Sequence, residues 1–318
     1  MTFLKVTDLS VEFTNNKKSV TPINGVSFEM KAGEVLGVVG ETGSGKSLTA
    51  QSIMGLTPLV GGQVSGSIQF GDKDLLTISS SEMQSIRGAE ISYIPQNPMT
   101  SLDPVFRVGD QIVEGIRTHQ KMSKKDAKQL TLDIMEELHI PSPRQVYMQY
   151  PHQLSGGLKQ RIVIAIGLVT NPKLLIADEP TTALDVTVQA QIMRLFKEHT
   201  VAKNISLLLI THDLGVVAQV CDKVAVMYAG NLVEYGDINS IFGKPNHPYT
   251  QALIACIPTM GMIKGDLSAI NGSVPNAGSY PEGCRFHTRC PYIKSQCKTE
   301  VPSMKSLSGE ILTACHLY

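Results

Sequence analysis

Hydrophobic and polar residues alternate from the first positions of the chain. Leu4, Val6, Leu9, Val11 and Phe13 predict a strand that ends in the polar turn Thr14 to Lys18. A second short strand, Val26 to Met30, leads through Ala32-Gly33 into the apolar run Val35-Leu36-Gly37-Val38-Val39. That run stops at Gly40-Glu41-Thr42-Gly43-Ser44-Gly45-Lys46-Ser47, and Leu48 to Met54 then predicts a helix. After Gly61-Gly62 and Gly66, further strands are expected at Ser67 to Phe70 and Ile91 to Ile94. Ser80-Ser81-Glu82 opens a short helix between them, and the second strand ends at Pro95-Gln96-Asn97-Pro98.

From about Val108 to Gln149 the pattern becomes helical. Ser123 with Asp126 predicts an N-cap, Ile134, Met135 and Leu138 an apolar face, and Pro141 a stop. Leu154-Ser155-Gly156-Gly157 introduces an apolar helix, Leu158 to Val169. A buried strand, Lys173 to Asp178, a long helix from about Val186 to Lys203 and another buried strand, Ile205 to Thr211, follow. Lys223 to Met227 and Leu232 to Tyr235, joined through Gly230-Asn231, predict a closing hairpin. Strands alternating with helices predict a mainly parallel α/β sheet. The organisation expected is one domain over 1–257, with a helical subdomain at about 105–160, and a C-terminal extension over 258–318. From Ile257-Pro258 onward, Gly, Pro, Ser and four cysteines replace the regular pattern, and so short a piece needs a staple.

A chain of 318 residues has room for a large core plus a smaller part. Its 28 basic and 28 acidic residues balance, which leaves no electrostatic footprint for nucleic acid. Met-Thr-Phe-Leu-Lys lacks the layout of a signal peptide. No apolar run approaches the roughly 18 to 20 residues of a membrane-spanning helix. The expectation is a cytosolic chain that reaches any membrane through a partner.

Strand, glycine-rich loop, Lys-Ser and helix form the P-loop arrangement. Glycines let successive N–H groups turn toward one anion, and the helix N-terminus adds its positive end. Lys46 is expected at the β- and γ-phosphates and the Ser47 hydroxyl on Mg²⁺, with Gly40, Glu41, Thr42, Gly43, Ser44, Gly45 and Leu48 around the nucleotide. Two acids close the strand Leu174-Leu175-Ile176-Ala177. Asp178 suits Mg²⁺, and Glu179 suits polarising the attacking water. His212, at the end of the next strand, is either a γ-phosphate contact or a structural histidine. Phe13 either stacks on an adenine or closes the core.

At this point the chain resembles the ABC-type ATPases. Gly40 to Ser47, Gln96, Leu154-Ser155-Gly156-Gly157, Asp178-Glu179, Ala183-Leu184-Asp185 and His212 occur in that family's order, over residues up to about 257. The resemblance implies an α/β P-loop NTPase of ABC type with a β-rich N-terminal edge, a helical insertion and a small cysteine-containing appendage. Gln96 resembles the Q-loop glutamine that senses Mg²⁺ and nucleotide. Ser155, Gly156 and Gly157 resemble the signature that closes over ATP held by a second copy. Asp185 resembles the aspartate bridging the copies, His212 the switch histidine, and Phe13 the adenine-stacking aromatic. Leu158 stands where the commonest signature has Gln. One loop and one signature per chain imply hydrolysis in a dimer, closed by two ATP and released by their hydrolysis.

Asn246-His247-Pro248-Tyr249-Thr250-Gln251-Ala252-Leu253, Ile257-Pro258 and Pro95 to Pro104 resemble the ATPase subunits of dipeptide, oligopeptide and nickel transporters. This implies two transmembrane permease subunits, a second and related ATPase chain or a second copy of this one, and indirectly an extracytoplasmic binding protein. The place implied is the cytoplasmic side of the cell membrane, and the transported substrate is a peptide or a nickel chelate. The cysteines are spaced Cys284-x5-Cys290-x6-Cys297-x17-Cys315. Four thiolates suit an iron–sulfur cluster or zinc. The close cysteine pairs usual for zinc are missing, Cys290-Pro291 echoes cluster loops, and the resemblance implies [4Fe-4S]. The competing function is a soluble ABC ATPase acting on ribosomes or nucleic acid, whose usual second ATPase domain or long coiled coil is not seen here. A module that binds ATP without turnover is disfavoured by Lys46, Glu179 and His212.

Overall fold

The bulky side chains that alternate along the N-terminal residues are held on one face of a twisted antiparallel sheet. In the computed structural model, which describes residues 2–15, 18–181, 184–257, 270–308 and 310–318, β1 (Thr2–Asn15) and β2 (Lys18–Lys31) each run for 14 residues. Leu4, Val6, Leu9 and Val11 from β1 and Ile23, Val26 and Met30 from β2 are buried, so these residues form one wall of a core. The segment read as a short strand at 26–30 is thus the second half of a long one. Breaks in its alternation coincide with register shifts against β1, which hid its length.

β3 (Val35–Val39) is buried at all five positions, as a strand covered on both faces must be. It runs into α1 (Lys46–Ile53) through the loop at Gly40 to Gly45. β4 (Gln63–Phe70) and β5 (Lys73–Asp74) complete the first sheet, in the order β2-β1-β4-β5.

The chain divides into two compact units, 1–78 with 209–318, and 79–208. The second unit opens with α2 (Ser80–Ile86), β6 (Ile91–Ile94) and α3 (Pro98–Ser101). The helical insertion follows as α4 (Val108–His119), α5 (Lys124–Glu137) and α6 (Pro143–Tyr147). Ser123 caps α5 by accepting from the Asp126 N–H, as its sequence predicts. α7 (Gly156–Leu168) leads to β7 (Leu174–Asp178), which pairs in parallel with β6 so that Ile94 lies opposite Ala177. α8 (Val186–Lys203) precedes β8 (Ser206–Thr211), whose six buried residues carry the chain back to the first unit.

There α9 (Leu214–Val220) precedes β9 (Lys223–Tyr228), which pairs in parallel with β3, and β10 (Asn231–Asp237) completes the expected hairpin. α10 (Ile238–Gly243) and α11 (Pro248–Ala255) follow. Where it is described, the C-terminal extension belongs to this unit: β11 (Lys305–Ser308) pairs with β12 (Ile311–Thr313), and β12 adds to the edge of β10. No helix among the described residues is long and apolar enough to cross a membrane.

Candidate nucleotide site and its supports

The loop after β3 is shaped by close approach. Gly40 lies against the Met227 carbonyl of β9, and a Cβ there would stand 2.1 Å from that oxygen, which only glycine avoids. Gly45 caps α1 with φ 99°, a left-handed conformation that turns the chain into the helix. The Lys46 ammonium is buried inside the loop. It donates to the carbonyls of Gly40 at 2.7 Å and Glu41 at 3.1 Å and reaches the Ser44 hydroxyl at 3.5 Å. The Ser44 carbonyl accepts from the Gly230 N–H at 2.9 Å, so the β9–β10 turn pins the loop from behind. Thr42 and Gly43 are left exposed, with Ser47 and Leu48 half-buried at the head of α1. A loop of this form presents a concave run of backbone N–H groups, a fixed ammonium and a hydroxyl to an anion.

Two supports of the loop come from far along the chain. The Glu41 N–H donates to the Tyr249 hydroxyl at 2.9 Å, and the Glu41 carboxylate takes two hydrogen bonds from Arg289, at 2.6 and 3.1 Å. Tyr249 is aimed by the residues around it. Buried Glu234 accepts from the Asn246 N–H, the Asn246 amide and the His247 N–H, which fixes the start of α11. His247 Nδ1 accepts from the Tyr249 N–H as the helix cap. Burial depresses the His247 pKa to about 3, so the ring is neutral. Phe13, half-buried in β1, lies with its ring against Gly62. His212 is exposed at the turn between β8 and α9, whose N-cap is Asp213.

The second unit gathers another set. Asp178 ends β7, is 2 % exposed, and accepts from the Tyr93 hydroxyl of β6 at 2.9 Å. Glu179 follows at φ 45°, a strained conformation for a residue with a side chain, costing on the order of 1–3 kcal/mol. That turn takes its carboxylate out of the strand direction. Gln96 Nε2 then donates to Glu179 Oε2 at 2.9 Å.

On another part of this unit, Ser155 caps α7 by accepting from the Leu158 N–H at 3.4 Å, and Ser155 and Gly156 are exposed. Asp185, also exposed, caps α8 by accepting from the Val188 N–H at 3.0 Å. A Cβ on Gly157 would lie 3.3 Å from Val188 Cγ1, so the two capped helix starts stand side by side. Leu158 is half-buried in the first turn of α7. Ala183 lies outside the described residues.

None of the six cysteines is in a disulfide. Burial pushes Cys284 up to about 11 and raises Cys290 and Cys315, and the nearby Cys297 thiol adds to the rise at each of these three. Backbone N–H groups two residues downstream donate to three of the sulfurs: Phe286 to Cys284, Tyr292 to Cys290 and Leu317 to Cys315. The Lys294 N–H donates to Cys297 Sγ at 3.4 Å. Among the described residues no group of three or more His, Cys, Asp or Glu side chains is close enough set to hold a single metal ion.

The loop, the two acids, the capped start of α7 and the four thiols all fall on residues singled out in the sequence. Tyr93 and Arg289 carry no such signal in the sequence, and Tyr249 stands there only within a longer pattern.

Residues 23–182 match the family described as ABC transporter, and residues 233–297 match the oligopeptide/dipeptide transporter C-terminal region. The chain belongs to the ABC transporter ATP-binding subunits. Among relatives of this ABC subunit is the dipeptide transport ATP-binding protein DppD of Bacillus subtilis, 49% identical over 99% of this chain and 94% of the relative. The oligopeptide transport ATP-binding protein AppD of the same organism is 46% identical over 100% of this chain and 97% of its own length. DppD of Escherichia coli is 44% identical over 99% of this chain and 97% of its own length. Among solved structures, cbiO1 of Clostridium perfringens, part of an ABC transporter complex, superposes with TM-score 0.64 at 28% identity, covering 76% of this chain and 91% of that one. A dimeric ATP-binding cassette bound to ADP and Pi shares the fold at TM-score 0.67 and 22% identity, covering 74% of this chain and 98% of that one. The ABC subunit is therefore an ATPase coupled to transport, working on ATP with Mg²⁺.

Proposed function

We propose that this ATPase is the energy-coupling subunit of an importer of small peptides, working as a dimer at the cytoplasmic face of two permease subunits that a peptide-binding protein serves from outside. The observation that carries the reading is the pair of exposed, capped helix starts at Ser155-Gly156 and Asp185-Val186. Donor groups at an exposed helix N-terminus suit the phosphates held by another subunit. The peptide class rests on the C-terminal region match and on relatives described as dipeptide and oligopeptide transport proteins.

In this reading the Gly40 to Ser47 loop and Lys46 hold the β- and γ-phosphates, and Phe13 covers the adenine. The Ser47 hydroxyl and the Asp178 carboxylate are hard oxygen donors of the kind Mg²⁺ takes, and Gln96 takes the role of sensor. Mg²⁺ held by these oxygens would neutralise charge on the phosphates. Glu179 accepts a proton from a water molecule as that water's oxygen bonds to the γ-phosphorus. The bond from phosphorus to the bridging oxygen breaks, leaving ADP and phosphate, and His212 donates to the γ-phosphate. Gln96 bonds to Glu179 and is followed by an exposed apolar stretch in which Val105 is 71% and Phe106 57% exposed. A permease helix seated on that stretch would move the group that aims the water.

The four thiols fit a [4Fe-4S] cluster held by Cys284, Cys290, Cys297 and Cys315. Cys297 lies near each of the other three thiols, and each sulfur accepts a backbone N–H, the kind of donor that supports a cluster's thiolates. A cluster held there would staple a segment with little core of its own.

Purification from native membranes tests the whole reading. The chain is expected to come away with two integral membrane subunits, and peptide-loaded binding protein is expected to stimulate ATP hydrolysis. Stimulation by a nickel chelate and by no peptide would overturn the substrate class. Isolation with ribosomes or nucleic acid instead would overturn the transport role.

A further inference from the structure

The second residue of the phosphate loop, Glu41, is held at three points, two of them from the far end of the chain. Its N–H donates to the Tyr249 hydroxyl, its carbonyl accepts from Lys46, and its carboxylate receives the fork of Arg289. The Arg289 side chain is only 4% exposed, so its charge relies mainly on protein acceptors rather than on water. A guanidinium has five N–H groups, and Arg289 has five acceptors. Nη1 donates to Glu41 Oε2 at 2.6 Å and the Tyr228 hydroxyl at 3.4 Å, Nη2 to Glu41 Oε1 at 3.1 Å and the Ile270 carbonyl at 3.3 Å, and Nε to the Asn271 carbonyl at 2.8 Å. A fully bonded, buried arginine of this kind fixes the direction of its one charged partner.

Arg289 also belongs to the cysteine segment. It ends a tight turn, His287–Arg289, in which the His287 N–H donates to the Cys284 carbonyl at 2.9 Å and the Cys290 N–H to the His287 carbonyl at 3.4 Å. Phe286, in the same turn, packs edge-on against Tyr228 with centroids 5.1 Å apart and lies 5.3 Å from the Tyr249 ring. A shift of Cys284 or Cys290 therefore shifts the turn, the guanidinium and Glu41 together.

We propose that Arg289 is a positioning residue for the phosphate loop, through which the cysteine segment sets the loop's shape and its hold on ATP. The proposal rests on the reading of Gly40 to Ser47 as the phosphate site. Arg289 touches no nucleotide atom in this scheme; it acts through Glu41. Removing the fork lets the Glu41 peptide rotate, and the loop then has to be ordered by ATP itself. That loss falls on binding rather than on the chemical step.

The test uses the full chain, a fluorescent ATP analogue for affinity, and steady-state hydrolysis for kcat and KM. Arg289→Gln is expected to weaken nucleotide binding about tenfold and raise KM in step, with kcat within about twofold of the parent. Arg289→Lys keeps the charge without the fork and is expected to lie between parent and Gln variant. Glu41→Gln should match Arg289→Gln, and the double variant should be no worse than either single one. Cys290→Ser should weaken binding in the parent and add little in the Arg289→Gln background.

Nucleotide affinity within about twofold of the parent in a folded Arg289→Gln protein, or additive losses in the double variant, would overturn the proposal. If Arg289→Gln does not fold, judged by near-ultraviolet circular dichroism, Arg289→Lys and Glu41→Gln carry the same comparison. Lys46→Ala separates the two levels of the argument. Unchanged nucleotide binding in that variant would overturn the phosphate-loop reading itself, whereas lost binding there beside normal Arg289 variants would overturn only the positioning role.

Discussion

Gln96 Nε2 donates to Glu179 Oε2 at 2.9 Å, joining the end of β6 to the residue that follows β7. Glu179 is already turned out of its strand by a positive φ, and this bond selects where its carboxylate rests. Gln96→Ala removes the selection and leaves the acid. Nucleotide affinity is expected to stay near the parent value while kcat falls about tenfold and stimulation by the permease is lost. Measured KM and kcat, with and without the membrane subunits, check this.

Gly40→Ala places a methyl where the Met227 carbonyl already stands, 2.1 Å from the Cβ position. The clash is with backbone on β9, which cannot step aside, so the loop must. The substituted protein should lose about 1–3 kcal/mol of stability and most of its ATP binding. Thermal unfolding and nucleotide titration read the two effects separately.

His247 is neutral in the fold, its pKa depressed to about 3 by burial from the usual 6.5. Unfolded chains bind a proton on this ring below pH 6.5 that the folded chain refuses, so the stability it confers is complete above that value. It is lost as pH falls from 6.5 toward 3, by roughly 4–5 kcal/mol at the limit. Glu234, whose carboxylate accepts the His247 N–H, and Tyr249 are the titratable groups nearest by contact. Denaturant midpoints measured between pH 7 and 4.5 should fall with pH, and His247→Asn, which keeps a capping side chain, should flatten that slope.

Much of the site was legible because its chemistry is local. The glycines, Lys46 and Ser47 sit within eight residues of one another, as do Asp178 and Glu179, and such patterns survive any uncertainty about packing. The supports are different in kind. Glu41 occupies a position where the P-loop pattern accepts any residue, and its partners Tyr249 and Arg289 lie 208 and 248 positions further along the chain. No periodicity links residues so far apart. Asn246 to Tyr249 carries a family resemblance in the sequence, and the buried Glu234 carboxylate supplies a physical reason for it. The long strand β2 shows only its second half in the sequence, because register shifts break the period of two. The short helices α9 to α11 carry too few turns to show a helical period at all.

Iron and acid-labile sulfide, measured on anaerobically purified protein, test the cysteine site. Four of each per chain are expected, with loss of both in Cys297→Ser. Stoichiometric zinc without iron would replace the cluster by a mononuclear site.

The claim at the centre is that each ATP is hydrolysed between two subunits, by Glu179 of one and under Ser155-Gly156 of the other. Glu179→Gln leaves the loop and the signature in place and removes the base. Light scattering of that variant, purified with its partner ATPase and titrated with ATP and Mg²⁺, is the direct measurement. A stable ATP-bound dimer with hydrolysis reduced at least about a hundredfold is predicted. A monomer at saturating ATP, or hydrolysis at the parent rate, would contradict the account.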